Sequence, residues 1–78
     1  MNCIATFYTH AAALLSDRRL KQRGYASVLG PVPRELSSSC GTCVRYNAED
    51  AAITLLDPDV ESVYELTGSG YNLLYHNE

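Results

Sequence analysis

Tryptophan is absent from this chain, phenylalanine and methionine occur once each, and lysine plus arginine number six against nine acids, for a formal charge of −3. That shortage of cations argues against phosphate-driven nucleic-acid binding, since few counterions could be released, and disfavours anionic membrane surfaces. No apolar run approaches the roughly 20 residues that cross a bilayer. The longest, Ala11 to Leu15, stops at Ser16 and Asp17. The start, Met1-Asn2-Cys3, lacks a basic segment followed by a long apolar one, so no secretory signal is read and a cytoplasmic location is expected. Internal repeats and low-complexity tracts are missing too. Length is also short: 78 residues exclude a second domain. A domain of this size buries only about 60% of the surface its unfolded chain exposes, which leaves room for one sheet layer carrying a few helices and none for a cleft between domains.

What is present is 46% apolar, enough for a globular core. Cys3 to Tyr8 mixes apolar, aromatic and β-branched residues as a strand does. Thr9 stands where an N-cap belongs, and an alanine- and leucine-bearing helix is expected to run to Arg23, with Gly24 as its stop. Arg18, Arg19, Lys21 and Arg23 lie in its second half, where they complement the negative end of the helix dipole. Tyr25 to Leu29 reads as a second strand, closed by Gly30-Pro31-Val32-Pro33. Gly30 to Thr42 reads as irregular, with one helical turn at Pro33-Arg34-Glu35-Leu36. Cys43 to Tyr46 is a third strand. Asn47 and Asp50 signal a second helix over Ala51 to Leu56, ended by Asp57-Pro58. Val60 to Thr67 is a fourth strand and Gly68-Ser69-Gly70 a turn; residues 68–78 read either as a tail or as an edge strand.

The order strand, helix, strand, strand, helix, strand predicts a single α+β domain of ferredoxin-like βαββαβ type, an antiparallel sheet with two helices on one face. A helical crossover makes the first two strands parallel, so their C-terminal ends share one edge of the sheet. Thr9 and His10 belong at that edge, and Cys40 and Cys43 should join them there. Cys3 should lie at the other.

Three cysteines are an odd number, which does not describe a disulfide scaffold. Cys40-Gly41-Thr42-Cys43 is a CxxC on a serine- and glycine-rich loop. A helix N-terminus or Arg34 nearby would favour the thiolate that attacks electrophiles, and Gly41 permits a sharp turn beside the sulfur. Against this stands the plain alternative that Cys43 is a small buried hydrophobe and Cys40 a bystander. An intrachain zinc site lacks ligands, because only His10 among the remaining candidates falls near the pair and Cys3 and His76 do not; a dimeric site sharing two CxxC pairs stays open. Thioredoxin-like exchange usually places its CxxC at the start of a helix after a strand, whereas here the pair precedes a strand.

The run Pro31-Val32-Pro33-Arg34-Glu35-Leu36-Ser37-Ser38-Ser39-Cys40-Gly41 resembles the signature of a small bacterial family of selenium/sulfur carrier-like proteins. Pro31, Pro33, Arg34, Ser38, Cys40 and Gly41 carry the match, and the first strand with Thr9-His10-Ala11 extends it over most of Ile4 to Leu66. By that resemblance Cys40 holds sulfur or selenium as a persulfide or selenosulfide, passed from a donor such as a cysteine desulfurase or selenocysteine lyase to an acceptor enzyme. Cys43 stands outside the motif. A second thiol three residues away could resolve a persulfide into a disulfide unless it is buried or turned inward.

Among the remaining residues, His10 could assist Cys40 as base or donor, or simply cap the helix. Arg34 could orient an anionic sulfur species or remain solvated. The carboxylates Asp57, Asp59 and Glu61 read as a solvated turn rather than a calcium loop. The expected protein is thus a covalent carrier rather than an enzyme with its own pocket. Its candidate residues are Cys40 and Cys43, supported by Gly41, Arg34, Ser38 and His10, with no cofactor and no metal. Two rival readings remain: an interaction module with incidental cysteines, and a CxxC thiol–disulfide protein. An exposed edge strand offers a route to a homodimer.

Overall fold

The computed structural model describes all residues from Met1 to Glu78. Its elements in chain order are β1 (Asn2–Phe7), α1 (His10–Gln22), β2 (Ser27–Pro31), β3 (Thr42–Asn47), a 3-10 turn (Ile53–Leu55), β4 (Val60–Thr67) and β5 (Gly70–His76). The five strands form one sheet in the order β2-β3-β1-β4-β5, with every neighbouring pair antiparallel. β1 and β2 therefore run parallel with β3 between them, and the crossover α1 covers one face. Residues 68–78 contribute the turn into β5 and the strand itself, which lies at the edge beside β4.

Strand alternation sorts the two faces of the sheet. Cys3, Ala5 and Phe7 of β1, Val44 and Tyr46 of β3 and Val63 of β4 join Ala12, Ala13 and Leu20 of α1 in the core. Ile4, Thr6, Cys43 and Ser62 are buried but belong to the opposite face, outside that cluster. α1 starts as its sequence requires: Thr9 is extended, and its hydroxyl accepts from the Ala12 amide at 3.1 Å. It stops at Arg23, with Gly24 taking the left-handed conformation (φ 85°) that a residue with a side chain resists. Lys21 does more than oppose the helix dipole. It pairs with buried Asp17 at 2.8 Å, and Ser27 donates to the same carboxylate, tying α1 to the start of β2.

The second helix does not form, so the sheet carries one helix and not the two expected. Ala51 and Ala52 are both left-handed (φ 68° and 48°), which an α-helix cannot absorb. Asp50 accepts from the Ala52 amide at 3.0 Å in a local turn, and the Tyr46 hydroxyl takes the Ala51 carbonyl at 2.6 Å. Both alanines pack into the core, and Pro58 bars Asp57 from helical geometry, so only the 3-10 turn remains. β2 also differs from its expected span. It begins at Ser27 and continues through Gly30 and Pro31, which pair with Cys43 and Thr42. Proline is tolerated there because β2 is an edge strand and the residue is its last.

Candidate functional site

Between β2 and β3 the chain leaves the sheet at Val32 and returns at Gly41, where the Val32 amide donates to the Gly41 carbonyl at 3.2 Å and closes the loop's neck. Pro33 to Leu36 makes a single turn, with the Leu36 amide on the Pro33 carbonyl at 3.0 Å. The returning limb is fastened at two points. Ser38 Oγ donates to the Phe7 carbonyl at 3.1 Å, at the end of β1, and the Ser39 amide donates to Glu61 Oε1 at 3.0 Å, on β4. The limb that carries Cys40 is thereby held across the ends of the central strands.

Cys40 is half-buried and packs against the core on the helix side of the sheet. Gly41 follows in the left-handed region (φ 74°), and this turn brings the Thr42 amide to 3.4 Å from Cys40 Sγ, donating to the sulfur. The thiol in turn reaches the Thr42 carbonyl at 3.4 Å. Thr42 Oγ1 lies 3.1 Å from Nδ1 of His10, the first residue of α1. The edge shared by the ends of β1 and β2 thus brings together the helix start, the loop and Cys40, as the parallel crossover implies. Cys3 pairs with Tyr46 at the opposite end of the sheet.

The two cysteines of the CxxC are not equivalent. Cys43 lies within β3, opposite Thr6 on one side and Gly30 on the other, and is 0% exposed. Its thiol donates to the Pro31 carbonyl at 3.4 Å. Burial is the main reason its ionisation is pushed up; the nearby Arg45 guanidinium opposes that rise without cancelling it. Cys43 points away from α1 and Cys40 packs on the helix side, yet the two are near enough that a charge on Cys40 adds to the upward push on Cys43. All three cysteines are free thiols.

Of the supporting residues, Ser38, Gly41 and His10 meet at this edge. Arg34 is exposed in the Pro33–Leu36 turn and makes no hydrogen bond or ion pair. The sequence pointed to neither Thr42 nor Glu61. Thr42 is the link between His10 and Cys40, and its only signal was its place inside the CxxC. Glu61 read as one of three solvated acids, yet it anchors the loop across 22 residues of sequence. Asp57 and Asp59 close their own turn, with the Asp59 amide on Asp57 Oδ1 at 2.9 Å. No three His, Cys, Asp or Glu side chains converge to hold a metal ion, and no helix is long and apolar enough to cross a membrane.

The model of the family described as Putative Se/S carrier protein-like matches residues 2–56. The chain belongs to that family. The match to the Se/S carrier-like family covers β1, α1, β2, the whole Cys40 loop, β3 and the 3-10 turn, so every element that builds this edge except β4 lies inside it. No curated protein and no solved structure matches the chain.

Proposed function

We propose that this member of the Se/S carrier-like family carries sulfur or selenium on Cys40. The observation that bears most weight is the division between the two thiols. One is half-buried at a loop end with a backbone amide directed at its sulfur, and the other is sealed in a strand with its proton on a carbonyl. In the loading step the Cys40 thiolate attacks the terminal sulfur of a donor's cysteine persulfide. The donor's S–S bond breaks, its cysteine leaves as thiolate, and Cys40 becomes Cys–S–SH. Unloading repeats the exchange with an acceptor thiolate, and Cys40 is the leaving group. Selenium from a donor perselenide follows the same course and gives a selenosulfide.

The residues at this edge have matching roles in that reading. Gly41 sets the turn that aims the Thr42 amide, Ser38 fixes the loop's position, and His10 steadies Thr42. Arg34 extends into solvent where a partner approaches. A cysteine desulfurase or a selenocysteine lyase would suit as donor, with the pocket supplied by the partner. The ferredoxin-like assignment also belongs here, supported by the split β1-α1-β2 arrangement with β3 between the parallel strands.

The test is the intact mass of the protein after incubation with a cysteine desulfurase and cysteine, compared among wild type, Cys40→Ser and Cys43→Ser. A sulfur adduct present in wild type and Cys43→Ser and missing from Cys40→Ser is the expected result. A mass loss of two hydrogens that needs both cysteines would replace carriage with dithiol chemistry.

A further inference from the structure

The sheet face away from α1 carries neither the helix nor the 3-10 turn, and it is open at one end: Thr6, Cys43 and Ser62, toward the Cys40 loop, are buried, whereas the end with Val28 and Arg45 is exposed. One row of paired residues crosses all five strands on it: Val28, Arg45, Ile4, Tyr64 and Leu73. Ile4, at the centre, is fully buried beneath its long neighbours, whereas Val28 and Leu73 at the ends are 56% and 54% exposed. In the next row Leu66 pairs with Tyr71, whose ring stands edge-on to Tyr64 at 6.3 Å. The molecule's one cavity lies on this face, an open groove of about 400 Å³ bounded by Val28, Arg45 and Leu66. Asn2 and Asn47 also line the groove, and this mixture of apolar and polar groups is the make-up of a non-obligate protein interface.

The charges decide what docks. Arg45 is the only lysine or arginine on the face and forms no salt bridge. No carboxylate lines the groove or stands in the row of paired residues: Glu65 pairs opposite Cys3 of the helix side, and Glu61 sits at the irregularity of β4 with the Ser39 amide on its carboxylate. A second copy of this chain set face to face would bury Arg45 against a surface without an acid, an uncompensated charge that disfavours self-association. An aspartate or glutamate beside an apolar side chain on another protein would satisfy both parts of the face at once.

We propose that the open end of this face is a docking surface for a partner protein that presents an apolar side chain next to a carboxylate, the carboxylate meeting Arg45 and the apolar group entering the groove between Val28 and Leu66. Docking here leaves the edge with Cys40 free. That the partner is a sulfur- or selenium-handling enzyme rests on the carrier reading; the binding itself does not.

The test is a two-dimensional amide NMR titration of the whole protein with the acetylated, amidated peptide Leu-Glu-Leu-Glu-Leu and its lysine counterpart. Saturable shifts confined to Val28, Arg45, Leu66 and Leu73 are expected with the acidic peptide and not with the basic one. They should weaken by about tenfold in Arg45→Glu, with Arg45→Gln between, and stay unchanged in Cys40→Ser. Equal binding of both peptides, shifts scattered elsewhere, or dilution-dependent shifts at this face without peptide would overturn the proposal. Because no sulfur chemistry enters the measurement, failure of sulfur loading and failure of docking are read separately.

Discussion

Alkylation of the folded protein separates the thiols by rate, and the size of the separation follows from what must break to expose each one. Cys40 is half-buried on a loop limb and needs only small side-chain motion to meet a reagent. Cys43 needs the end of the β2–β3 ladder opened, including the pairings of Gly30 with Cys43 and Pro31 with Thr42 and its own bond to the Pro31 carbonyl. Typical stability per residue puts global unfolding of a chain this long at about 4–12 kcal/mol. Opening one end of an edge strand should cost about 3–4 kcal/mol of that, below the global value and above simple fraying. Dividing by about 1.4 kcal/mol per decade, Cys43 should react two to three orders of magnitude more slowly than Cys40. The assay is limited iodoacetamide treatment at neutral pH, followed by peptide mapping of all three cysteines with and without urea. Cys40 should be modified first, and urea should bring the three rates together. If Cys43 reacts within a factor of about ten of Cys40 in the native protein, burial does not protect it, and the division of roles between the thiols is wrong.

Other consequences can be measured independently. Asp17→Ala removes the acceptor shared by Ser27 and Lys21; Lys21 is 56% exposed and contributes little, so most of an expected loss of about 2 kcal/mol comes from the Ser27 bond and the packing of α1 on β2, read by urea unfolding. A loss below about 0.5 kcal/mol would mean this contact does not fasten the helix. Burial pushes the Cys3 and Cys43 thiols and the Tyr46 hydroxyl upward, so the unfolded chain loses these protons first: stability should hold below the ordinary thiol value of 9.0 and decline as pH rises through the higher folded-state values. A urea midpoint that stays flat through the alkaline range would contradict this, and Tyr46→Phe should soften the steepest part of the decline. Gly41→Ala would place a Cβ in open space, so its cost is the left-handed backbone alone, about 1–2 kcal/mol, visible as a looser loop and faster alkylation at Cys40.

Local signals survived the step from sequence to structure because each needs only its own neighbours. Thr9 caps α1 and Gly24 ends it through contacts within four residues, and the proline- and serine-rich stretch before Cys40 is a loop. The edge shared by His10 and Cys40 was also legible, since a parallel crossover fixes where the strand ends meet. The second helix failed for a reason propensity hides. Alanine favours helix, yet Ala51 and Ala52 serve as small residues letting a tight turn press on the core, and the decisive contact is the Tyr46 hydroxyl on the Ala51 carbonyl. The grip of Glu61 on Ser39 and of Ser38 on Phe7 spans 22 and 31 residues, which no local pattern encodes.

The same distinction explains how a CxxC in this setting differs from one on a helix. Residues three apart on a helix share a face, so two thiols at that spacing meet without moving the backbone. Here Gly41 turns the chain and Thr42 enters the sheet, after which alternation sends Thr42 toward His10 and Cys43 to the opposite face. In the carrier reading, the opposite orientations of the two side chains would slow attack by Cys43 on a persulfide at Cys40, as long as the N-terminal end of β3 stays paired. A partner that drew β2 away at Pro31 would release Cys43 and turn the same pair into a resolving couple. On that reading, the lifetime of a loaded Cys40 would depend on the stability of one short edge strand.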